Sequence, residues 1–347
     1  MQRVYSDGMI RPLDTRDYPA LLHLLNSADA DHSLRTFAPD GRTVEALTLE
    51  LGDDSPEHQS LAFVLEQDGQ VLAFANLISE DDEHVIEGPV MAADAPLDGV
   101  AKLIKRVLAF APQRHYEFID AFVDEENQHA QQALRKAGMQ AFRTTYLYEM
   151  LRAEDTPAHS YDPQLELTPI RQLAAGNPEL PLFDIDDYRD LYRDTTDAWH
   201  DRLAWSDEEL VAHFAREDVR LIVAHYQGEL VGHIELEFLA DDLNTDLNTD
   251  LSDADLHAEN MNAGHVARAN RTYHEVEIAY FGVLKSARKR GIGKTLLHAG
   301  IELAFATDTV ETVVARAHDD ERAACHTLEA LGFHLRQSVV GFTWELR

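Results

Sequence analysis

The order of elements readable in this chain occurs twice, and that repetition limits the folds open to it more than any other feature. A short extended run from Met9 to Leu13 leads into a segment with Tyr18, Leu21, Leu22 and Leu25 on one helical face. A second helix is expected from Thr43 to Gly52, its cap and its stop. Two β-type runs then flank Asp68-Gly69, a strong hairpin signal. A helix with Val100, Leu103, Ile104, Val107 and Leu108 precedes a strand from Phe118 to Val123 and a helix ending at Ala137-Gly138. The order then returns: Leu167 to Ile170 answers Ile10 to Leu13, and Tyr188, Leu191 and Tyr192 mark a helix. Ser206 and Glu209 form a capping box, and Leu221 to Leu236 repeats the hairpin. The separation from Gly293 to Gly332 equals that from Gly99 to Gly138. The expected organisation is two copies of one α/β domain, residues 1–153 and 165–347, joined by a linker at 154–164 that carries Pro157 and Pro163.

At 347 residues and 45% hydrophobic content, the chain can fill two conventional cores. Its 63 acidic residues against 30 basic ones give a formal charge of -33, which argues against nucleic acid and anionic membranes as partners. Cys325 is the single cysteine, so no intramolecular disulfide forms and no cysteine cluster holds a metal. The 18 histidines show no His-Glu-x-x-His spacing, and no metal is expected. Without an apolar signal core or an apolar stretch approaching eighteen residues, the expectation is a cytoplasmic protein. The second copy carries an acidic insertion near 241–271; Asp242 to Asp250 alternates carboxylates and amides, but Leu247 holds the place of the EF-hand glycine, so it reads as an acidic loop.

Against that charge stands one basic turn. Tyr280, Phe281 and Val283 favour a strand, and Leu296, Leu297, Gly300, Ile301 and Ala304 recur at helical spacing. Between them Lys285, Arg288, Lys289, Arg290 and Lys294 place five cations in ten residues. Gly291 and Gly293 permit close backbone approach where a helix opens with free N–H groups, which suits a phosphate. A Walker A loop would need glycine at Arg288, and a dinucleotide fingerprint lacks its first glycine.

The pattern Arg288-x-x-Gly291-x-Gly293, with Val283 before it and Leu331-Gly332-Phe333 after it, resembles the pyrophosphate loop of the GNAT superfamily of N-acetyltransferases. The whole chain is similar in layout to tandem GNAT proteins such as the mycothiol synthases. The resemblance implies, in each copy, a mixed, mostly antiparallel sheet flanked by helices, with the fourth and fifth strands splayed to admit pantetheine. It implies acetyl-CoA as cosubstrate, held by the backbone of Phe281, Gly282 and Val283, with Gly282 easing a strand bulge, and by the loop Arg288, Lys289, Arg290, Gly291, Ile292, Gly293, Lys294 and Thr295. Acetyl transfer to an amine of pKa about 10.4 needs a proton acceptor, because deprotonating it at pH 7 costs about 4.6 kcal/mol. Glu277 stands where the family places a working glutamate, and Glu275, on the same strand face, is the reserve. The family's proton-donating tyrosine position holds Leu328. Acceptor pockets in the family would bring Tyr188, Tyr192, Trp199 and Trp205 near the entrance.

The first copy is expected to be a degenerate partner domain without acetyl-CoA. Leu97 and Asp94 align with Gly291 and Arg288, and Pro96 removes an amide donor. The reading favours acetylation of a primary amine on a small molecule; the alternatives are a mycothiol-synthase-like or protein-directed acyltransferase, or a non-catalytic CoA-binding regulator. A homodimer is compatible with each.

Overall fold

The computed structural model describes residues 8–52, 61–80, 83–111, 116–152, 162–170, 184–195, 201–240 and 273–346. The acidic segment Asp242 to Asp250, Trp199 and most of the linker lie outside the described residues. The chain divides into two compact units, and their boundaries differ from those of the sequence repeat. Among the described residues, one unit runs to Thr145 and also takes the chain from Gln337 onward; the other holds those from Tyr146 to Arg336.

In the first unit the sheet order is β1 (Met9–Pro12), β2 (Phe63–Gln67), β3 (Gln70–Glu80), β4 (Glu83–Met91), β5 (Phe118–Asp124) and β12 (His334–Glu345). Only β4 and β5 pair in parallel. Helices α1 (Tyr18–Ala30) and α2 (Val44–Leu51) cover one face, where Leu21, Leu25 and Leu47 meet Val64, Phe74 and Val90. Helices α3 (Leu97–Leu108) and α4 (Gln128–Ala137) bury the alternate strand residues, Leu65, Ala73, Ala75 and Ile86 among them. Local signals place these elements. Thr43 accepts the Ala46 N–H at 3.1 Å to open α2, and Gly138 ends α4 at φ 106°, a value that favours glycine.

The second unit has the order β6 (Gln140–Leu151, from Tyr146 on), β11 (Thr312–His318), β10 (Tyr273–Val283), β9 (Glu229–Ala240), β8 (Val219–Tyr226) and β7 (Leu165–Ile170). Here β10 and β11 pair in parallel, while β10 with β9, β9 with β8 and β8 with β7 are antiparallel. Helices α8 (Ile292–Phe305) and α9 (Arg322–Ala330) pack on one face. Helices α5 (Ile185–Thr195) and α7 (Asp207–Phe214) pack on the other, with the short α6 (Asp201–Ala204) between them in sequence. The expected capping box opens α7, the Ser206 hydroxyl accepting from Glu209 N at 3.2 Å and the Glu209 carboxylate from Ser206 N at 2.6 Å. Arg152 closes α8 from β6, donating to the carbonyls of Phe305 at 2.9 Å, Thr307 at 2.5 Å and Val310 at 2.6 Å.

Each unit is thus completed by a strand from the other copy of the repeat. The chain's last strand pairs antiparallel with β5 from Val339↔Asp124 to Glu345↔Phe118, and Phe342 is fully buried in the first unit's core beneath the Arg135 guanidinium. Replacing Phe342 by Ala should therefore destabilise the unit that begins the chain, by about 3–5 kcal/mol. Hydrogen exchange should show faster exchange in Phe118–Asp124 and Gln128–Ala137; unchanged protection there would refute the assignment.

Candidate active site

β10 and β11 pair only from Glu275↔Thr312 to Ile278↔Ala315, although both strands continue, to Val283 and His318. They part where the register of β10 against β9 slips between Ile278 and Tyr280, leaving Ala279 as the extra residue of a bulge. The splay matches expectation, but the bulge lies at Ala279 and not at Gly282. Gly282 serves another need: a Cβ there would lie 2.5 Å from the Thr195 Cβ, so glycine lets the end of α5 press on the strand. Leu284 N–H bonds Val231 across β9 at 2.8 Å, so by strand alternation Gly282 also turns its amide to β9. Phe281 and Val283 turn theirs toward the gap. The Val283 carbonyl accepts from Arg288 Nε at 2.9 Å.

A short 3-10 turn, Lys285–Ala287, carries the chain to the basic loop. Lys289 at φ 65° and Gly291 at φ 81° are both left-handed, an alternation that gathers successive N–H groups into an anion-sized concavity. Gly291 is the N-cap of α8, and no side chain caps it among the described residues. Ile292 and Thr295 are buried and fix the helix, whereas Lys289 and Arg290 are exposed and Lys294 is half-buried. Arg290 also stacks on Tyr226, 5.2 Å from its ring centroid. A Cβ at Gly293 would lie 3.6 Å from the Val283 side chain and 3.9 Å from that of Phe281, so the loop, the helix start and the end of β10 border one space.

Glu277 and Glu275 are not the solvated carboxylates that so acidic a chain suggests. They sit on a central strand, and Glu277 is 9% exposed with Oε1 3.0 Å from Arg316 Nη1. Burial pushes the Glu275 carboxyl up, against the pull of Arg336 at 3.4 Å. Directly across β9, Glu237 pairs with Glu277 and Glu235 with Tyr280. Around these carboxylates lie Arg202, 2.5 Å from Glu235 and 3.3 Å from Glu237, and His213, 2.8 Å from Glu235. Arg216 stands 3.6 Å from Glu237, and the Tyr188 hydroxyl donates to Glu235 at 3.3 Å. Burial raises the Glu235 carboxyl, but Arg202 and then His213 outweigh it and hold it below the usual range; burial and then Glu235 push Glu237 up. Tyr188 and Tyr192 lie fully buried on the inner face of α5, beside His233, so they cover this cluster and do not line an entrance. His213, Glu235 and Glu237 offer ligand atoms within 4.8 Å of one another, a metal-sized set, yet the Arg202 guanidinium already sits on both carboxylates.

The repeat supplies an internal control. Counting from the hairpin glycines Gly69 and Gly228, β9 residues His233, Glu235 and Glu237 match Phe74, Asn76 and Ile78 of β3. The strand pairings place Glu277 opposite Glu237 as Val85 is placed opposite Ile78. One architecture is thus built twice, largely apolar at these positions once and charged once. The copies also differ at the parting strands. In the first unit β4 and β5 pair at Val85↔Asp120 and Ile86↔Ala121, and the chain's own residues 35–37 then enter. Phe37 N–H donates to Phe122 O at 2.9 Å, Gly88 N–H to Phe37 O at 2.6 Å, and Asp124 N–H to Arg35 O at 3.3 Å. Asn127 and the Thr36 hydroxyl brace the insert, donating to Arg35 O at 3.0 Å and Phe122 O at 3.1 Å.

Sequence reading missed Arg202, His213, Arg316 and the β9 carboxylates. A signal existed for the last: His233, Glu235 and Glu237 alternate along β9 where the counterpart strand carries Phe74, Asn76 and Ile78. At the other end, Leu328 is fully buried, and Cys325 packs beside the core with burial raising its thiol.

His233 is fully buried with neither ring nitrogen hydrogen-bonded, and burial, opposed by Glu235, brings it down to about 4. Its folded value lies below the unfolded 6.5, so the neutral ring's stability contribution is complete above pH 6.5 and is lost as pH falls toward 4. His233→Phe, which installs the first unit's residue, should reduce this acid-side loss, on the order of a few kcal/mol. Urea midpoints from pH 7 to 4 measure it, and parallel curves for the two proteins would contradict it.

The sequence matches the acetyltransferase (GNAT) family over residues 28–139 and 185–333. No protein with a curated description matches. Among solved structures, a GCN5-related N-acetyltransferase from Sphaerobacter thermophilus is similar at 15% identity, covering 99% of this chain and 96% of that one with a TM-score of 0.58. A tandem GNAT protein from the clavulanic acid biosynthesis pathway is similar at 15% identity, covering 97% and 98% with a TM-score of 0.51. At these identities the likeness concerns the fold alone. With both copies matched, the chain belongs to the GNAT family of acetyltransferases, in a tandem arrangement.

Proposed function

We propose that the second unit transfers acetyl from acetyl-CoA to a primary amine of a small molecule. The observation that carries this reading is the parting of β10 from β11 at a bulge, with a basic, left-handed loop and an uncapped helix start beside it. The pantetheine amides would bond the gap-facing backbone of Phe281 and Val283. The pyrophosphate would lie on the N–H groups from Arg288 to Thr295, including Ile292 and Gly293, with Lys289, Arg290 and Lys294 supplying charge. Gly282 contributes by keeping the strand close to Thr195. Glu277, two residues before the bulge, accepts the proton of the attacking amine. The nitrogen adds to the thioester carbonyl, the C–S bond breaks, and the thiolate leaves to be protonated by solvent. Arg316 holds the Glu277 carboxylate in place, and Glu275 is the reserve base.

The first unit acts as a partner domain. Its equivalent gap is bridged by residues 35–37, whose amides already satisfy both strands, in keeping with Asp94, Pro96 and Leu97 at the loop position. Because the first unit's sheet includes the last strand of the chain, an isolated amino-terminal segment is a poor test, and the whole chain must be used. Calorimetry should find one acetyl-CoA per chain. Gly291→Val with Gly293→Val should lower that affinity at least tenfold; two sites per chain, or an unchanged affinity in the variant, would defeat the assignment.

Glu277→Gln should reduce turnover about 10²–10⁴-fold at pH 7. The deficit should shrink at alkaline pH, where the amine loses its proton unaided. Thiol release from acetyl-CoA across pH 6.5–9.5 reads this out, and a pH-independent deficit would remove Glu277 from the role of base. Binding of acetyl-CoA without turnover on any amine would favour the regulatory alternative.

A further inference from the structure

The carboxylates on β9 are left unused by this mechanism, and they hold a cation of the protein's own. Arg202 Nη2 lies 2.5 Å from Glu235 Oε1 and 3.3 Å from Glu237 Oε1, and the guanidinium carbon is 4.3 Å from the Trp205 ring centroid and 4.8 Å from that of Tyr280. Two acceptor groups and two aromatic faces around one planar cation have the chemistry of a guanidinium receptor. The arginine reaches it from α6, a helix of four residues.

Three observations set this cage apart from an ordinary structural ion pair. Charges buried in place of apolar residues seldom stabilise a fold, and where the second unit buries Glu235 and Glu237 with Arg202 and His213, the first unit carries Asn76 and Ile78 and buries beside them one carboxylate, Glu87, which accepts from the Asn76 amide at 2.7 Å. His233, on the same face two residues from Glu235, is fully buried with both nitrogens unbonded, so the polar site is incomplete as it stands. Tyr280, one wall of the cage, is the residue directly after the Ala279 bulge, which places the cage at the parting of β10 and β11.

We propose that the cage is a recognition subsite of the acyl acceptor, that it takes a guanidinium group carried by that acceptor, and that Arg202 occupies the place until the acceptor displaces it. The word acceptor rests on the acyl-transfer reading above; the cage's affinity for a guanidinium does not. A substrate with a guanidinium at one end would be held by Glu235, Glu237, Trp205 and Tyr280 and would present its amine toward Glu277, the strand neighbour of Glu237.

Two measurements on the full chain decide the matter. Thermal unfolding of Arg202→Ala, titrated with methylguanidinium, should show a saturable rise in Tm that is absent from the wild type and from Arg202→Ala with Glu235→Gln. Should Arg202→Ala alone fail to fold, Arg202→Ala with Glu237→Gln, which leaves Glu235 as the one carboxylate of the cage, still held by His213 and Tyr188, takes its place in the titration. No saturable rise overturns the proposal. With the wild type and acetyl-CoA, agmatine should show a KM at least tenfold below that of pentylamine, an amine without the guanidinium, and Glu235→Gln should erase the difference. Equal KM values for the two amines overturn the subsite while leaving acyl transfer intact. If neither amine releases thiol although acetyl-CoA binds, the acyl-transfer reading fails, and the methylguanidinium titration still decides the cage.

Discussion

A strand that leaves its neighbour exposes backbone N–H and C=O groups that must find other partners, and both units of this protein are organised around that requirement. In each, a parallel pair begins beside the chain's central strands and then separates. The first unit satisfies the freed groups internally, with Arg35 to Phe37 bonding Phe122, Asp124 and Gly88. In the second unit the corresponding edge of β10 faces a gap flanked by the basic loop, and the family's cosubstrate is rich in amides and phosphates. The same geometric opening is therefore closed by protein in one copy and suited to a ligand in the other.

Charge follows the same division. The chain is acidic throughout, yet five cations gather in the ten residues that precede and open α8, where the helix start and left-handed turns already favour an anion. Across the sheet the opposite arrangement holds, with carboxylates on two adjoining strands balanced by Arg202, Arg216, Arg316 and His213. Such a cluster is expensive to bury unless each charge is matched. The nearby His233 is accommodated by remaining neutral.

The exchange of terminal strands ties the two copies together through covalent structure. A strand from the end of the sequence supplies Val340 and Phe342 to the first core, and Tyr148 and Met150 of β6 enter the second. Strand patterns and hairpin turns were legible because they depend on local alternation and on Asp68-Gly69 and Gln227-Gly228, which adopt left-handed φ. Which sheet a terminal strand joins was not legible, since an alternating strand such as His334–Glu345 presents a similar pattern to either partner.

By itself the sequence determined the element order, the repeat, the helix caps at Thr43, Ser206 and Gly138, and the basic glycine loop. Each depends on residues within a few positions of one another, where local propensity decides. The placement of Glu277 on the strand before the loop was also legible, through the resemblance of the loop pattern to the GNAT family. Only the tertiary structure decided that the bulge falls at Ala279, that Gly282 makes room for Thr195, and that residues 35–37 fill the first unit's gap. It alone brought Arg202 and His213 onto Glu235 and Glu237. These groups are separated by tens of residues and meet through packing of helices on the sheet, so no periodicity or spacing along the chain records their contact.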